Sequence, residues 1–142
     1  MKPSALEKTT EIISALFILL FVYTATSKLL AHQTFIISLE KSPLSFASDT
    51  ISWFVPAIEL LISALLLLPR YRKEGLAASF ILMILFTLYI AYMLLTSSHL
   101  PCSCVGLINK LSWQGHLWLN IFLTMLSATA SYIQQRLKFL LQ

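Results

Sequence analysis

Four long stretches of apolar residues divide this chain, and they restrict its fold more than any other feature. They run over about residues 11–31, 52–68, 76–96 and 116–133. About 20 helical residues cross a hydrocarbon layer, so stretches of this length predict transmembrane helices. Hydrophobic residues make up 58% of the chain and charged residues 11%, which is more apolar surface than a soluble core of this size can bury. We therefore expect an all-α integral membrane protein, an up-and-down bundle of four transmembrane helices in a single membrane domain over residues 1–142.

The connection between the first two spans, residues 32–51, is not a plain loop. Phe35, Ile36 and Leu39 fall at helical spacing, and Ser42-Pro43 is expected to end the helical turn. A short helix with an apolar face between two spans is typical of a segment that lies on the membrane surface. The sequence thus predicts a short interfacial helix between spans one and two.

The basic residues indicate how the bundle is oriented. Four spans place both termini and the loop over residues 69–75 on one side of the membrane. That side collects seven of the ten basic residues, namely Lys2, Lys8, Arg70, Arg72, Lys73, Arg136 and Lys138. By the positive-inside rule this side is cytoplasmic, so the loop over residues 97–115 faces the periplasm of a bacterial cytoplasmic (inner) membrane. The formal charge of +4 does not indicate nucleic-acid binding, because no basic cluster interleaved with aromatic residues accompanies it.

The only two cysteines, Cys102 and Cys104, lie in that outward-facing loop with one residue between them. Disulfides form and persist on this side of the membrane. Closing so small a loop would stabilise the fold by only about 1.6 kcal/mol before ring strain, which argues against a structural role for a disulfide here. Strained, exposed disulfides tend to be the labile and catalytic ones. We interpret the pair as a redox-active dithiol or disulfide.

Two other interpretations of the cysteines stay open. They could be incidental small hydrophobic residues near the interface, although their placement in one tripeptide argues against this. They could also bind a metal together with His99 and His116, since two cysteines and two histidines suit zinc. The H-x2-C-x-C spacing is not a standard zinc pattern, and His116 could instead cap or anchor span four. The favoured interpretation therefore assigns no metal.

Two ionisable residues, Lys28 and Glu59, lie well inside predicted spans. Each costs a few kcal/mol in the bilayer, and such residues usually face the bundle interior and pair. Spans one and two run in opposite directions, so both residues lie beneath the outer face, and a lysine side chain can bridge their difference in depth. We expect an ion pair or shared polar network. We interpret Glu59 as part of a proton-handling network beneath the thiols, because disulfide chemistry consumes and releases protons.

Three further residues are candidates at the edge of the site. Trp113 suits an aromatic belt at the outer interface, and His116 lies at the start of span four. Asn120, one turn later, is polar enough to form a hydrogen bond to a neighbouring helix.

Motifs at five places resemble the MauE/DoxX family of redox-associated membrane proteins. They are Ser27-Lys28-Leu29, then Phe35 and Leu39, then Pro56-x-x-Glu59-Leu60, then Cys102-x-Cys104-x-Gly106, then Ser112-Trp113 with His116 and Asn120. This chain has Cys-Ser-Cys-Val-Gly where family members often have Cys-Gly-Cys-Phe-Gly. The resemblance implies a four-helix membrane protein. Methylamine-utilisation members are linked to maturation of a periplasmic, disulfide-rich dehydrogenase subunit, and others accompany thioredoxin-like periplasmic proteins.

We therefore expect a membrane-bound thiol–disulfide exchange protein that acts on a periplasmic thioredoxin-fold or disulfide-rich partner. Cys102 and Cys104 would carry the exchange, with Cys102 as the favoured attacking thiol. Lys28 and Glu59 would tune the charge beneath them. No cofactor is assigned, and a quinone between the helices is one open destination for electrons. The alternatives are a non-catalytic assembly or maturation factor for a periplasmic client, and a Cys/His metal-binding membrane protein.

Overall fold

A computed structural model describes residues 3–96 and 113–140, and all regular structure in these ranges is helical. The helices are α1 (Pro3–Leu30), α2 (His32–Glu40), α3 (Ser48–Leu67), α4 (Arg72–Thr96) and α5 (Trp113–Leu140). Short 3₁₀ turns precede α3 at Ser45–Ala47 and α4 at Pro69–Tyr71. The predicted all-α class is confirmed for the described part of the chain.

Three helical segments have the length and apolar composition to cross a membrane. They are Ser4–Leu30, Ser45–Leu67 and Pro69–Thr96. Large apolar side chains cover their outward faces, and Leu30 and Leu95, for example, are 85% and 87% exposed. Such faces are unfavourable in water and suited to lipid.

The fourth predicted span corresponds to α5, which contains 28 residues and packs against α1 and α4. It is long enough to cross a membrane, but it is more polar and is not among the three qualifying segments. The count of four spans therefore stays a prediction. Helix α2 forms where the sequence predicted a short helix, with Phe35 and Leu39 buried, and its position at the membrane surface stays a prediction as well.

The helices extend beyond the apolar stretches that predicted them. Helix α1 begins at Pro3 rather than near residue 11, and α5 continues to Leu140 rather than ending near residue 133. A proline is compatible with the first position of a helix, where its missing N–H has no intrahelical partner. Hydrophobicity marks only the part of a helix that suits lipid, so the hydrogen-bonded helix can be longer.

One end of the bundle has a closely packed apolar core. Phe17, Leu66 and Leu76 are fully or almost fully buried there. A Cβ atom placed on Gly75 would lie 2.9 Å from Leu66 Cδ2 and 3.1 Å from the Leu66 backbone nitrogen. Glycine thus allows α3 and α4 to approach closely. We call this the Gly75 end.

The opposite end contains the carboxyl end of α1, the α1–α2 junction and the amino-terminal part of α3. We call it the Lys28 end. Here His32 of α2 contacts α3 through two residues. Its Nε2 lies 3.0 Å from Ser52 Oγ, and its ring lies 4.3 Å from the Trp53 ring, centroid to centroid. Because the Ser52 hydroxyl donates its proton to the Asp49 carbonyl at 2.6 Å, His32 Nε2 is the donor. These contacts fix α2 against α3.

Candidate functional site

A buried ion pair joins α1 to α3 at the Lys28 end. Lys28 Nζ lies 2.6 Å from Glu59 Oε1, and the two residues are 6% and 0% exposed. Lys28 lies in the last turn of α1, and Glu59 lies in the middle of the antiparallel α3. The predicted pairing of these two residues is confirmed. Pairing is the expected arrangement because an isolated charge in an apolar interior is strongly disfavoured.

The two oxygens of Glu59 have different surroundings. Oε1 accepts the hydrogen bond from Lys28 and lies 3.2 Å from Thr24 Oγ1. The Thr24 hydroxyl also lies 3.3 Å from the Phe21 carbonyl oxygen, and it has one proton to share between the two acceptors. Oε2 is buried and has no hydrogen-bond partner among the residues described. A buried carboxylate oxygen normally has a partner, so this one marks an incomplete site.

Lys28 has donor capacity that the ion pair does not use. An ammonium group carries three N–H donors, and within the described part of the chain Lys28 Nζ makes one hydrogen bond, to Glu59. Two aromatic rings also lie close to this ammonium group. Nζ lies 5.3 Å from the centroid of Phe86 and 5.9 Å from that of Phe35, distances at which a cation is attracted to a ring face.

A cavity of about 140 Å³ lies beside the ion pair. Most of its wall consists of leucine, isoleucine, valine, methionine and phenylalanine side chains contributed by the helices of the bundle. Its polar residues are fewer, namely Thr24, Lys28, Glu59, Tyr89, His116 and Asn120. An apolar cavity with a few convergent polar groups is the usual form of a small-molecule site.

Two of the residues predicted at the edge of the site lie on the α5 wall of this cavity. His116 and Asn120 are 8% and 7% exposed and occupy successive turns of one helix face. Asn120 Nδ2 donates to the His116 carbonyl oxygen at 3.1 Å. The structure therefore brings His116 and Asn120 together with Lys28 and Glu59 around one cavity. The sequence alone did not predict this common cavity.

The remaining predicted site residues fall outside what the structure describes. Cys102, Cys104 and His99 lie in the undescribed range 97–112. Trp113 is the first residue of α5, and its side chain also lies outside the described residues. The redox pair and the Cys/His metal alternative accordingly stay predictions.

Sequence reasoning missed several residues of the site. Thr24 lies one turn before Lys28 in α1, so the i, i+4 spacing of two polar residues in an apolar helix could have indicated a shared face. Tyr89 also lines the cavity, and nothing in the sequence singles it out. Phe86 contributes a ring next to Lys28, and no sequence signal distinguishes it from the other phenylalanines of an apolar helix.

A family model matches most of this chain. The family model described as methylamine utilisation protein MauE matches residues 6–133, which is most of the chain. The chain belongs to the MauE family. Neither a curated protein nor a solved structure matches it. Together with its long apolar helices, membership makes this MauE-family chain a multi-pass membrane protein.

The site of this MauE-family protein combines a neutralised pair of charges with an adjacent apolar volume. Lys28 can donate further hydrogen bonds, and Glu59 Oε2 can accept one. Low polarity around such groups makes each of these interactions stronger than it would be in water. The arrangement can therefore orient a small polar group, or hold a proton near it, within an otherwise apolar interior.

Proposed function

We propose that this MauE-family protein is a membrane-bound thiol–disulfide exchange protein of the bacterial cytoplasmic membrane. In this proposal four helices span the bilayer, α2 lies at its outer surface, and both termini are cytoplasmic. Cys102 and Cys104 face the periplasm. The observation that carries the proposal is that both cysteines of the chain lie in one tripeptide of the predicted outward-facing loop.

The exchange needs only the cysteine pair and a partner that carries a disulfide. The Cys102 thiolate attacks one sulfur of the partner disulfide, so a mixed disulfide forms and the other partner sulfur leaves as a thiolate. The Cys104 thiolate then attacks Cys102 and releases the second partner thiolate. Two electrons pass from the cysteines to the partner, and the two protons lost by the cysteine thiols balance those taken up by the partner thiolates. The reverse sequence reduces the Cys102–Cys104 disulfide.

The partner is a periplasmic protein with a thioredoxin fold or several disulfides. A protein of this kind presents an accessible disulfide or dithiol at the membrane surface, and it is the partner that the resemblance to the MauE/DoxX family implies. Lys28 and Glu59 support the exchange from beneath. In this proposal the pair takes up or supplies the proton that each thiol loses or gains, and His116 and Asn120 line the same cavity.

Covalent trapping tests this proposal. In a Cys104→Ser variant Cys102 can still attack the partner disulfide, but no second thiol can resolve the mixed disulfide that forms. The variant should therefore accumulate this adduct with the periplasmic partner, which is visible on non-reducing gels and removed by dithiothreitol. Cys102→Ser is the matched variant and should accumulate less if Cys102 is the attacking thiol. A reversed ratio would assign the attack to Cys104. Absence of an adduct from both variants, at normal expression, would contradict exchange.

The second candidate is an assembly factor that binds a periplasmic client without turnover, a role that the resemblance to the MauE/DoxX family also implies. The double variant Cys102→Ser/Cys104→Ser separates the two functions. An assembly factor would retain client maturation in this variant, whereas an exchange protein would lose it.

A further inference from the structure

We propose that the cavity beside Lys28 and Glu59 binds a neutral six-membered ring that carries carbonyl oxygens, the chemistry of a quinone head group. This ligand site does not depend on Cys102 or Cys104. It is defined by three properties of the described residues: the size of the cavity, its charge balance and its unused hydrogen-bonding groups.

The size of the cavity selects a single ring. Its volume is about 140 Å³, and an apolar cavity of about 150 Å³ in another protein accepts benzene. Buried carbon side chains such as Met83, Ile90 and Leu123 form much of the wall. Phe35 and Phe86 add aromatic faces beside it, which favour a flat ring in an offset or edge-to-face arrangement.

The charge balance of the site selects a neutral ligand. Lys28 and Glu59 neutralise each other at 2.6 Å. An anionic or cationic ligand would therefore enter an apolar space without a counter-charge, which is strongly unfavourable. A neutral ring that dissolves in the bilayer meets no such barrier.

The unused hydrogen-bonding groups select an oxygen acceptor on that ring. Among the described residues Lys28 Nζ makes one hydrogen bond and therefore retains donors for a carbonyl oxygen. A bond from an ammonium group to such an oxygen is charge-assisted and stronger than one between neutral groups. Glu59 lines the same cavity, is 0% exposed and has its Oε2 without a partner in the described ranges, so it is available to a hydroxyl group of the reduced ring.

Two probes of the same shape test the proposal. Duroquinone is a tetramethyl ring with two carbonyl oxygens, and durene is the tetramethyl ring without them. We expect the full-length protein in lipid nanodiscs to bind duroquinone at least about tenfold more tightly than durene by calorimetry, the ratio that one hydrogen bond to a charged group supplies. Empty nanodiscs correct for partitioning. The Cys102→Ser/Cys104→Ser variant should give the same ratio, because the cysteines are not needed for binding.

Equal affinity for the two probes would overturn the proposal and leave an unspecific apolar cavity. No binding of duroquinone above that of empty nanodiscs would overturn it as well. Neither result would bear on disulfide exchange, which is tested separately by trapping.

A pair of matched variants tests whether duroquinone binds in this cavity. Ile90 lines it and is 8% exposed, whereas Leu88 on the same helix is 61% exposed. Ile90→Phe fills the cavity and should lower duroquinone affinity at least about tenfold, while Leu88→Phe should leave it unchanged. Equal affinities in these two variants would place binding elsewhere and contradict the proposal. In the neutral double variant Lys28→Met/Glu59→Gln the preference for duroquinone over durene should fall, and an undiminished preference would also contradict it.

Discussion

The Gly75 end and the Lys28 end of the bundle are built from the same long helices, yet the first is closely packed and the second contains a cavity. At the Gly75 end α3 and α4 meet so closely that a single added carbon would lie 2.9 Å from Leu66 Cδ2. At the Lys28 end the helices surround a cavity of about 140 Å³ and enclose two charged residues. Close apolar packing stabilises a bundle, whereas a cavity and a buried ion pair both reduce the stability that the same residues could provide.

The difference indicates which end is constrained by function. A well-packed hydrophobic replacement of a buried ion pair is often neutral or stabilising, so stability alone does not require Lys28 and Glu59. The apolar core at the Gly75 end needs no such explanation, since burial of side chains such as Phe17, Leu66 and Leu76 itself stabilises the bundle. The comparison supports the proposals that place ligand binding and proton handling at the Lys28 end.

The largest expected change is a loss of stability when one partner of the Lys28–Glu59 ion pair is removed. Lys28→Met leaves Glu59 buried without a counter-charge and should lower the free energy of unfolding by about 3–5 kcal/mol. The double variant Lys28→Met/Glu59→Gln removes both charges and should recover most of that loss. Reversible unfolding in mixed detergent micelles measures both. If the single variant is as stable as the double variant, the pair is not a buried, desolvated one.

The second prediction concerns the rate of disulfide exchange rather than the stability of the fold. Glu59→Gln should slow exchange of the cysteine pair with oxidised glutathione by about tenfold, a change of ~1.4 kcal/mol in the barrier, because the site loses the group that accepts a proton. The pH profile of the rate should change as well. Glu11→Gln is the matched control, since Glu11 pairs with Arg72 at the Gly75 end, and it should change neither.

A stability defect could mimic this result, because Glu59→Gln leaves Lys28 without its counter-charge. The double variant Lys28→Met/Glu59→Gln addresses this point, since it is neutral and should be folded. An unchanged rate and pH profile in both variants would leave Glu59 with a structural role only.

A smaller loss of stability is expected from Gly75→Ala at the closely packed end. The new methyl group meets the Leu66 side chain and backbone, and overpacking of this kind costs about 1–3 kcal/mol. A helix propensity gain of about 1 kcal/mol offsets part of it, so a net loss of about 1 kcal/mol in unfolding free energy is expected. In a Leu66→Ala background the loss should be smaller. A loss of the same size in both backgrounds would show that the methyl group does not meet the Leu66 side chain.

The smallest effect concerns the ion pair at the Gly75 end. Arg72 Nη1 and Glu11 Oε1 are 3.6 Å apart, and the Glu11 side chain is 53% exposed. Such pairs are worth between 0 and about 1 kcal/mol, so Glu11→Gln should change stability by less than about 0.5 kcal/mol. A loss comparable to that of Lys28→Met would erase the contrast between the two ends.

The sequence predicted those features that depend on one helix or on a strong energetic penalty. Long apolar runs predicted the helices because few other structures satisfy backbone groups in lipid. The Lys28–Glu59 pair could be predicted because two charges at similar depth have few alternatives to pairing. Helix ends were predicted less well, since polar turns of α1 and α5 extend past the apolar stretches.

The cavity could not be predicted in the same way. Helix α4 is apolar on all sides, so its periodicity does not indicate which of Leu88, Tyr89 and Ile90 faces inward. The position of Phe86 beside Lys28 depends on the rotation of α4 against α1, which only tertiary packing determines. His116 and Asn120 were singled out for their polarity, but their position around the same cavity as Glu59 follows from how α5 packs.

Labelling of the cysteine pair with a membrane-impermeant maleimide tests the central claim most directly. In intact spheroplasts Cys102 and Cys104 should resist labelling when oxidised and react after mild reduction, without permeabilisation of the membrane. A Tyr71→Cys variant in the Cys102→Ser/Cys104→Ser background marks the other side and should react only after permeabilisation. If the native pair reacts only in permeabilised membranes while Tyr71→Cys reacts in intact ones, the proposed orientation and the exchange function that depends on it are wrong.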